Sequence, residues 1–176
     1  MTPAASLVCD ERVDVRRRAA GVRRGQGFEA FVAGAAGRLG HAAALLTTEP
    51  PGRDPRARAL LTAALAVTYA RWDELRGEDP YDHSRRELVA RFARSAWRHH
   101  RPRGGVLSRL TPRERLVVVL RLYEGVPEEQ TAALLGLSEH RVRAHCTRAV
   151  TLLTGPAPPG RPATRGRATA RRPVAR

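Results

Sequence analysis

A stretch near the C-terminal end, residues 110–153, constrains the fold of this chain more than any other. Thr111 and Pro112 form a helix N-cap followed by proline at the first helical position, and Glu114 lies in the opening turn. The apolar residues that follow recur at the spacing of one buried helix face; they are Leu116, Val119, Leu120 and Tyr123. The sequence therefore predicts a helix that begins at Pro112.

Two more helices are predicted downstream. A short one begins near Pro127 and ends at Gly136, since glycine readily adopts the left-handed conformation that stops a helix. Ser138 has the hydroxyl group of an N-cap, and the helix that it caps is expected to run to about Leu153. Together these two helices form a candidate helix-turn-helix.

The spacing of three residues supports this interpretation. A helix-turn-helix needs a small residue where its helices approach, a glycine in the turn, and an apolar residue that packs the second helix onto the first. Ala132, Gly136 and Val142 meet these demands. The other side of the last helix is cationic and rich in hydrogen-bond donors, as expected for contact with bases and phosphates. Its candidate DNA-binding residues are His140, Arg141, Arg143, Ala144, His145 and Arg148.

An antiparallel helical hairpin with a solvated arginine face would explain the helicity alone. The turn spacing and the cationic face occur together, however, and this favours DNA binding. The chain carries a formal net charge of +15, and all of its 32 basic residues are arginine. Arginine–phosphate contacts release counterions, so this charge also favours a polyanionic partner.

Three further helices are predicted upstream of this stretch. They cover residues 28–47, 56–75 and 84–101, with breaks at 48–55 and 76–82. Glycines inside the first helix each weaken it by about 1 kcal/mol relative to alanine, so packing against another helix must offset that cost. Trp72 is expected in the core. Trp97 is flanked by basic residues, and it fits core packing and an exposed base-stacking role equally well.

The predicted fold class is all-α, with two small helical modules. Residues 27–101 form the first module, residues 110–154 form the second, and a linker with proline and glycine, residues 102–109, is expected to uncouple them. Residues 1–26 are expected to be a basic, flexible arm, with a short helix over residues 10–20 as the alternative. Residues 155–176 are expected to be a disordered tail rich in arginine and proline. Two modules on a short linker could reach two DNA sites at once.

The second module resembles region 4 of bacterial sigma factors of the extracytoplasmic-function class. The residues that carry this resemblance are 110–115, 117–121, 134–138 and 142–149. In that family, region 4 reads the upstream promoter element near minus thirty-five, so the resemblance implies promoter DNA as a partner. Lysine, asparagine and isoleucine, whose codons are AT-rich, are all absent, which indicates a GC-rich bacterial genome of the actinobacterial kind.

The first module resembles sigma-factor region 2, on residues 28–32, 45–47, 65–72, 85–89 and 95–98. In the family, the second helix of this region binds the clamp helices of RNA polymerase, which implies polymerase contacts by Leu61, Leu65 and Tyr69. The third helix recognises and helps to melt the minus-ten element, which implies DNA contacts by Arg94, Trp97 and Arg98. Core RNA polymerase and promoter DNA are the implied partners, and an anti-sigma factor is a further candidate.

The second helix departs from the family pattern at its start. The family usually has acidic and amide side chains there, whereas residues 57–63 read Ala-Arg-Ala-Leu-Leu-Thr-Ala, and Ala90 replaces an asparagine usual in the third helix. Like charges in contact are costly, so the expected polymerase contact is weakened. Two alternatives therefore stay open: a stand-alone helix-turn-helix regulator, and a non-DNA-binding interaction protein such as a sequestering partner of a sigma factor.

Several function classes have no support in the sequence. It has no glycine-rich phosphate loop after a strand, no His-Glu-x-x-His and no Gly-x-Ser-x-Gly, so we expect no enzymatic activity, small-molecule substrate or cofactor. The two cysteines, Cys9 and Cys146, are far apart in sequence, which argues against a disulfide framework or a zinc or other metal site. No apolar run approaches the roughly 18 residues of a membrane span and no secretory signal is recognisable, so a cytoplasmic location is expected.

Overall fold

A computed structural model shows the arrangement of the helices. It describes residues 4–50, 54–101 and 103–155, and side chains from residue 18 onward. The helices are α1 (Ala4–Thr47), α2 (Pro55–Ala70), α3 (Pro80–Arg94), α4 (Pro112–Val118), α5 (Glu128–Leu135) and α6 (Glu139–Thr154). A 3-10 turn, Ala96–His99, follows α3, and a π-helical turn, Val119–Tyr123, extends α4. Within these ranges there is no strand, and no helix is both long and apolar enough to cross a membrane. The predicted all-α class is confirmed.

Helix α1 begins at Ala4, whereas the sequence predicts a flexible arm up to residue 26 and a helix only from Phe28. No proline interrupts residues 4–49, so nothing local stops the helix from extending upstream. A contact distant in sequence also anchors this part, since Arg24 pairs with Asp73 at 3.1 Å. The same guanidinium donates hydrogen bonds to the carbonyl oxygens of Tyr69 and Ala70 at the end of α2. The predicted start of this helix is therefore wrong.

Helices α1, α2 and α3 pack side by side and enclose the core of the first module. A small residue allows close approach at Gly40, whereas Gly34 and Gly37 have no neighbouring atom within 4 Å of an added Cβ, so the packing expected to offset their cost is present at Gly40 alone among these three. At Gly40, an added Cβ would lie 3.5 Å from Cδ2 of Leu61, so the side chain from α2 fits directly against the α1 backbone. Trp72 packs against aromatic rings of α1, 5.3 Å from Phe28 and 5.5 Å from Phe31 between ring centroids, but it is half-buried at the edge of the module rather than in the core as predicted.

The turns around α3 differ from the predicted bounds. The second predicted helix was to run to Leu75, but α2 ends at Ala70. Helix α3 begins at Pro80 rather than Ser84, because the carboxylate of Asp79 accepts the Tyr81 N–H at 2.9 Å and caps it. It ends at Arg94 rather than residue 101. The Ser95 hydroxyl bonds back to the carbonyl of Arg91 at 3.0 Å, and the chain tightens into the 3-10 turn.

The second module begins with the predicted cap. The Thr111 side chain accepts the Glu114 N–H at 3.3 Å, and the Glu114 carboxylate accepts the Thr111 N–H at 2.8 Å, which together make a capping box. Helix α4 then widens into the π-helical turn, where the Glu124 N–H donates to the Val119 carbonyl at 2.8 Å. Leu116, Val119 and Leu120 are buried, as the periodicity predicts.

The side chain of Arg115 is buried between the two modules. It is 1% exposed, and its guanidinium donates to four backbone carbonyl oxygens. These belong to Leu107 (3.2 Å), Leu110 (3.0 Å), Leu46 (3.3 Å) and His99 (2.9 Å). Burial lowers the pKa of Arg115 from its ordinary value, but arginine remains protonated in proteins, so the cation bridges α1, the 3-10 turn and the segment before α4.

The linker does not uncouple the modules, contrary to the prediction. The Gly105 N–H donates to the Thr48 carbonyl oxygen at 3.0 Å, and a Cβ at Gly105 would lie 2.8 Å from that carbonyl group, so only glycine fits there. Leu107 and Leu110 are 5% and 2% exposed and belong to one apolar cluster with residues of both modules. The prediction of a flexible linker is wrong because it depended on composition alone. Two buried leucines and one close backbone contact hold the linker in place.

A second polar contact joins the modules at Glu124, whose side chain is completely buried. The Tyr81 hydroxyl of α3 donates to this carboxylate at 2.9 Å, and Arg38 of α1 lies 3.5 Å from it. Arg85 approaches to 4.0 Å. Burial raises the pKa of Tyr81 well above its ordinary value, and the hydrogen bond to Glu124 raises it further. Glu124 is thus neutralised by groups of the first module.

His99 lies at the same junction and is sensitive to charge. Its ring is 7% exposed and packs on Phe92, with 4.7 Å between ring centroids. Burial lowers the pKa of His99, and the positive charges of Arg56, Arg103 and Arg115 lower it further, while Glu49 opposes them. The folded protein therefore favours the neutral imidazole.

We expect Arg115→Met to lower the free energy of unfolding by about 3–5 kcal/mol, since it leaves buried carbonyl groups without donors. Urea unfolding followed by circular dichroism measures this. Arg113→Met is the matched control, because Arg113 is exposed on the same helix, and its effect should stay within about 0.5 kcal/mol. Equal, small effects of the two substitutions would contradict the bridging role of Arg115.

The lowered pKa of His99 predicts a pH dependence of stability. The unfolded chain binds more protons at His99 than the folded chain does, so this contribution to stability is complete above the ordinary histidine pKa of about 6.5 and is lost as the pH falls below it. We expect His99→Gln to reduce the loss of stability between about pH 7 and pH 5, measured by urea unfolding. The exposed neighbour provides the control, and His100→Gln should leave the slope unchanged. A slope that is identical in both variants would refute the assignment.

Candidate nucleic-acid interface

The turn between α5 and α6 has the geometry that its sequence predicts. Gly136 adopts the left-handed conformation, with φ 63° and ψ 38°. The Leu137 N–H donates to the Ala132 carbonyl at 2.9 Å and closes the end of α5. The Ser138 hydroxyl accepts the Arg141 N–H at 3.4 Å and caps α6. The two helices therefore form the expected helix-turn-helix.

Packing determines which side of α6 is exposed. Val142 is 0% exposed and forms a small apolar cluster with Val117 of α4 and Ala132 of α5. Cys146 packs at the edge of this cluster as a free thiol. Because these side chains fix the inward side of α6, its outward side is fixed as well.

The outward side carries the predicted DNA-binding residues, and we call it the α6 face. All but His145 are exposed, and His145 is half-buried. The members are His140, Arg141, Arg143, Ala144, His145 and Arg148. The structure thus places them within the first ten residues of one helix, and the N-terminal part of that helix is what a helix-turn-helix presents to the major groove.

The three arginines of the α6 face differ in their partners, which the sequence did not reveal. Arg143 pairs with Glu128 of α5 at 2.7 Å, and Arg148 pairs with Glu114 of α4 at 3.0 Å. Arg141 has no ion-pair partner among the described residues. Arg141 is therefore ready to meet an anion, whereas Arg143 and Arg148 must first exchange a carboxylate for a phosphate.

The three candidate DNA-binding residues of the first module lie around the 3-10 turn. Trp97 is 69% exposed, and the guanidinium of Arg98 lies 4.8 Å from the centroid of its ring. Arg94, at the end of α3, is exposed too. Of the two roles that the sequence left open for Trp97, the structure favours the exposed one. An exposed ring beside cations suits stacking with an unpaired base.

The candidate polymerase-binding residues are less accessible. Leu61 and Leu65 are half-buried and pack against the apolar core. Tyr69 is 42% exposed, but its ring contacts Phe28 at 4.9 Å between centroids and lies beneath the Arg24 guanidinium. Of these three, Tyr69 presents the largest surface to a partner.

Sequence reasoning missed a group of arginines that the fold brings together. They line a cleft between the start of α2 and the end of α3, together with Arg94 and Arg98. The additional members are Arg56, Arg91, Arg101 and Arg103. Because these residues lie in three separate segments, no local spacing signals the cluster; only the recurrence of arginine along α3 was visible.

Comparisons with known proteins agree with this geometry. The family described as Sigma-70, region 4 matches residues 106–153. An RNA polymerase sigma-E factor of Streptomyces antibioticus is 32% identical over 138 residues, covering 62% of this chain and 76% of the relative. An RNA polymerase sigma-E factor of Streptomyces coelicolor is 31% identical over 122 residues, covering 55% of this chain and 69% of the relative. The chain belongs to the family of RNA polymerase sigma factors. No solved structure matches it.

In this sigma factor, the region 4 match begins inside the predicted linker, at residue 106. This agrees with the packing of Leu107 and Leu110 beneath α4. At the start of α2, where the family pattern has acids, Arg58 pairs with Asp54 at 3.2 Å. Its positive charge is thus partly balanced within the chain, although the surface remains without the family's carboxylates.

Because Arg141 has no ion-pair partner among the described residues, we expect it to contribute more to DNA affinity than the other two arginines of the α6 face. For a DNA fragment selected from random sequence by this sigma factor, we expect Arg141→Ala to weaken binding by about 1–3 kcal/mol, as for an arginine that reads a base. Arg148→Ala is the comparison, and it should cost less because its guanidinium is already held by Glu114. Fluorescence anisotropy measures both. Equal losses, or a larger loss for Arg148→Ala, would contradict this ranking.

The pair between Arg143 and Glu128 predicts that removing the acid strengthens DNA binding. Glu128→Gln frees one cation, so affinity for nonspecific duplex DNA should rise and the slope of log K against log salt should steepen by about one. Glu129→Gln changes the net charge equally without releasing an arginine. The same measurement in both variants checks this, and identical slopes would show that only net charge matters.

Proposed function

We propose that this chain is a transcription initiation factor that binds core RNA polymerase and directs it to promoters. In this proposal the α6 face reads the upstream promoter element. The exposed end of α3 and the 3-10 turn, with Arg94, Trp97 and Arg98, contact the minus-ten element. Promoter DNA and core RNA polymerase are the partners, and an anti-sigma factor is a further candidate.

One observation carries this proposal: a helix-turn-helix presents an exposed cationic face in a chain of the sigma-factor family. The face is held by the buried cluster around Val142 and includes Arg141, which lacks an ion-pair partner among the described residues. Arginine and histidine donors at the start of a recognition helix suit contacts with bases and phosphates. The exposed Trp97 adds a stacking surface in the other module.

The proposal requires the two modules to separate during function. In the free chain the two modules share one apolar core, and the side chains of Arg115 and Glu124 bridge them. Promoter elements near minus ten and minus thirty-five lie about 85 Å apart along duplex DNA, at about 3.4 Å per base pair. Modules that share a core cannot contact both elements at once. The contacts of Arg115 and Glu124 across the junction must therefore open when polymerase and promoter are bound.

A second candidate function is a stand-alone helix-turn-helix regulator. The observation that favours it is the cationic start of α2, where Arg56 and Arg58 are exposed and residues 57–63 contain no carboxylate. If that surface no longer binds polymerase, the α6 face could still bind DNA. The third possibility, an interaction protein without DNA binding, predicts no effect of substitutions on the α6 face.

The decisive experiment is gel filtration of the protein with core RNA polymerase of Streptomyces coelicolor, followed by transcription from genomic fragments. We expect co-elution and discrete start sites. Arg141→Ala should co-elute but lose those start sites, because it alters the α6 face alone. Failure to co-elute, together with sequence-selective DNA binding, would favour the stand-alone regulator. Absence of both activities would overturn both proposals.

Module separation is tested by fluorescence energy transfer. Labels are placed at Arg58→Cys in α2 and Val150→Cys in α6, both exposed positions, in a chain where Cys9 and Cys146 are replaced by serine. We expect high transfer in the free protein and low transfer when polymerase and promoter are present. Transfer that stays high in the transcribing complex would contradict the opening.

A further inference from the structure

The cleft between α2 and α3 has an unusual concentration of positive charge, and we call it the cationic cleft. Its volume is about 740 Å³, and it is bounded by the first turns of α2, the end of α3, the 3-10 turn and the start of the linker. Its lining contains six arginines and one histidine but no carboxylate among the described residues. They are Arg56, Arg91, Arg94, Arg98, His99, Arg101 and Arg103. Ser95 and the small or apolar side chains of Ala59, Leu60 and Ala63 complete it.

Three buried nitrogen atoms of this lining have no hydrogen-bond partner. They are Nε of Arg91, Nε of Arg103 and Nδ1 of His99. Buried polar atoms in folded proteins are nearly always paired, so three unpaired nitrogens in one cleft point to an absent acceptor. The His99 side chain is the clearest case, since the residue is only 7% exposed.

The nearest acids do not serve these groups. Glu49 is buried, and its carboxylate already accepts the N–H groups of Arg56 at 3.0 Å and Ala57 at 2.9 Å. Glu87 lies 3.9 Å from Nε of Arg91, too far for a hydrogen bond. Glu49 and Glu87 therefore offset the six positive charges of the lining only in part, and the guanidinium groups repel one another. An anion that enters the cleft would relieve this repulsion and accept the unpaired donors.

We propose that the cationic cleft binds a run of phosphate groups. Guanidinium groups match phosphate oxygens in paired hydrogen bonds, and several of them around one cleft suit consecutive phosphates better than a single anion. At the rim, Arg98 connects the cleft to Trp97, whose exposed ring lies against its guanidinium. A base attached to the bound phosphates could stack on that ring. The ligand class is thus a nucleotide chain or a free nucleoside polyphosphate, which share this chemistry.

This inference extends the proposed function, since Arg94, Trp97 and Arg98 also belong to the proposed DNA surface. Phosphate binding here needs neither polymerase nor the α6 face. The cleft also adjoins the junction between the modules, because the carbonyl oxygen of His99 accepts a hydrogen bond from Arg115 at 2.9 Å. A bound anion would therefore stabilise the segment on which Arg115 depends.

The test is isothermal titration of the full chain with inorganic tripolyphosphate. We expect saturable binding that Arg91→Gln plus Arg103→Gln weakens by about tenfold or more, since each loses charge-assisted hydrogen bonds. Arg76→Gln plus Arg113→Gln removes the same charge at exposed sites outside the cleft and should leave binding unchanged. Arg141→Ala should also leave tripolyphosphate binding unchanged, although we expect this variant to lose promoter recognition. A failure of the phosphate site can therefore be distinguished from a failure of the proposed function.

Equal affinity of the cleft variant and its charge-matched control would overturn the proposal. So would equal binding of oligoglutamate and tripolyphosphate in the wild-type chain, because that result indicates general attraction of polyanions. A nuclear magnetic resonance titration covers the case in which the cleft variant does not fold. In the wild-type chain, tripolyphosphate should raise the pKa of His99 and shift its ring resonances, while the ring resonances of His140 on α6 should stay in place. An unchanged His99 titration would also refute phosphate binding.

A short oligothymidylate distinguishes the two sources of phosphate. If it binds more tightly than tripolyphosphate and Trp97→Ala removes only that advantage, the cleft holds a nucleic-acid strand. If adenosine triphosphate and tripolyphosphate bind as well as the oligonucleotide, and Trp97→Ala has no effect, the cleft holds a free polyphosphate. Either result supports the phosphate site, provided that the cleft variant weakens the binding.

Discussion

The guanidinium of Arg115 is the interaction on which the rest of this structure depends. A buried cation without a carboxylate partner is stable only when its donors are satisfied, and here four carbonyl oxygens satisfy them. Those carbonyls come from the end of α1, the 3-10 turn and the segment before α4. The positions of three separate segments are therefore fixed by one side chain, and the linker that joins the modules becomes part of the core.

The junction between the modules is closed in the free chain, but the proposed function requires it to open. In the free chain, Arg115, the buried Glu124 with the Tyr81 hydroxyl, and the apolar cluster around Leu107 hold the modules together. Under the proposed function, the two modules contact promoter elements that lie far apart, and such contacts need the modules to separate. The polar contacts are suited to such a change, because carbonyl and carboxylate groups can exchange their partners for water, whereas the apolar cluster must be covered by another surface.

Local signals in the sequence predicted local structure well. The capping box of Thr111 and Glu114, the left-handed Gly136 and the cap at Ser138 all depend on residues within a few positions of each other. Features that depend on distant residues were not predictable in this way. Arg115 looks like any other arginine in a chain of arginines, and nothing adjacent to it in sequence reveals its burial. This class includes the extension of α1, the packed linker and the cationic cleft. It also includes the ion pair of Arg143 with Glu128, which distinguishes Arg143 from Arg141.

Residue-resolved unfolding tests most directly whether the two modules are one cooperative unit. Urea unfolding would be followed by nuclear magnetic resonance, with amide signals from α2 and α3 in one module and from α5 and α6 in the other. Since Arg115 and the shared core couple the modules, we predict coincident transitions with the same midpoint for all four helices. Two separate transitions, with α5 and α6 unfolding while α2 and α3 remain intact, would show that the modules fold independently and would contradict this account.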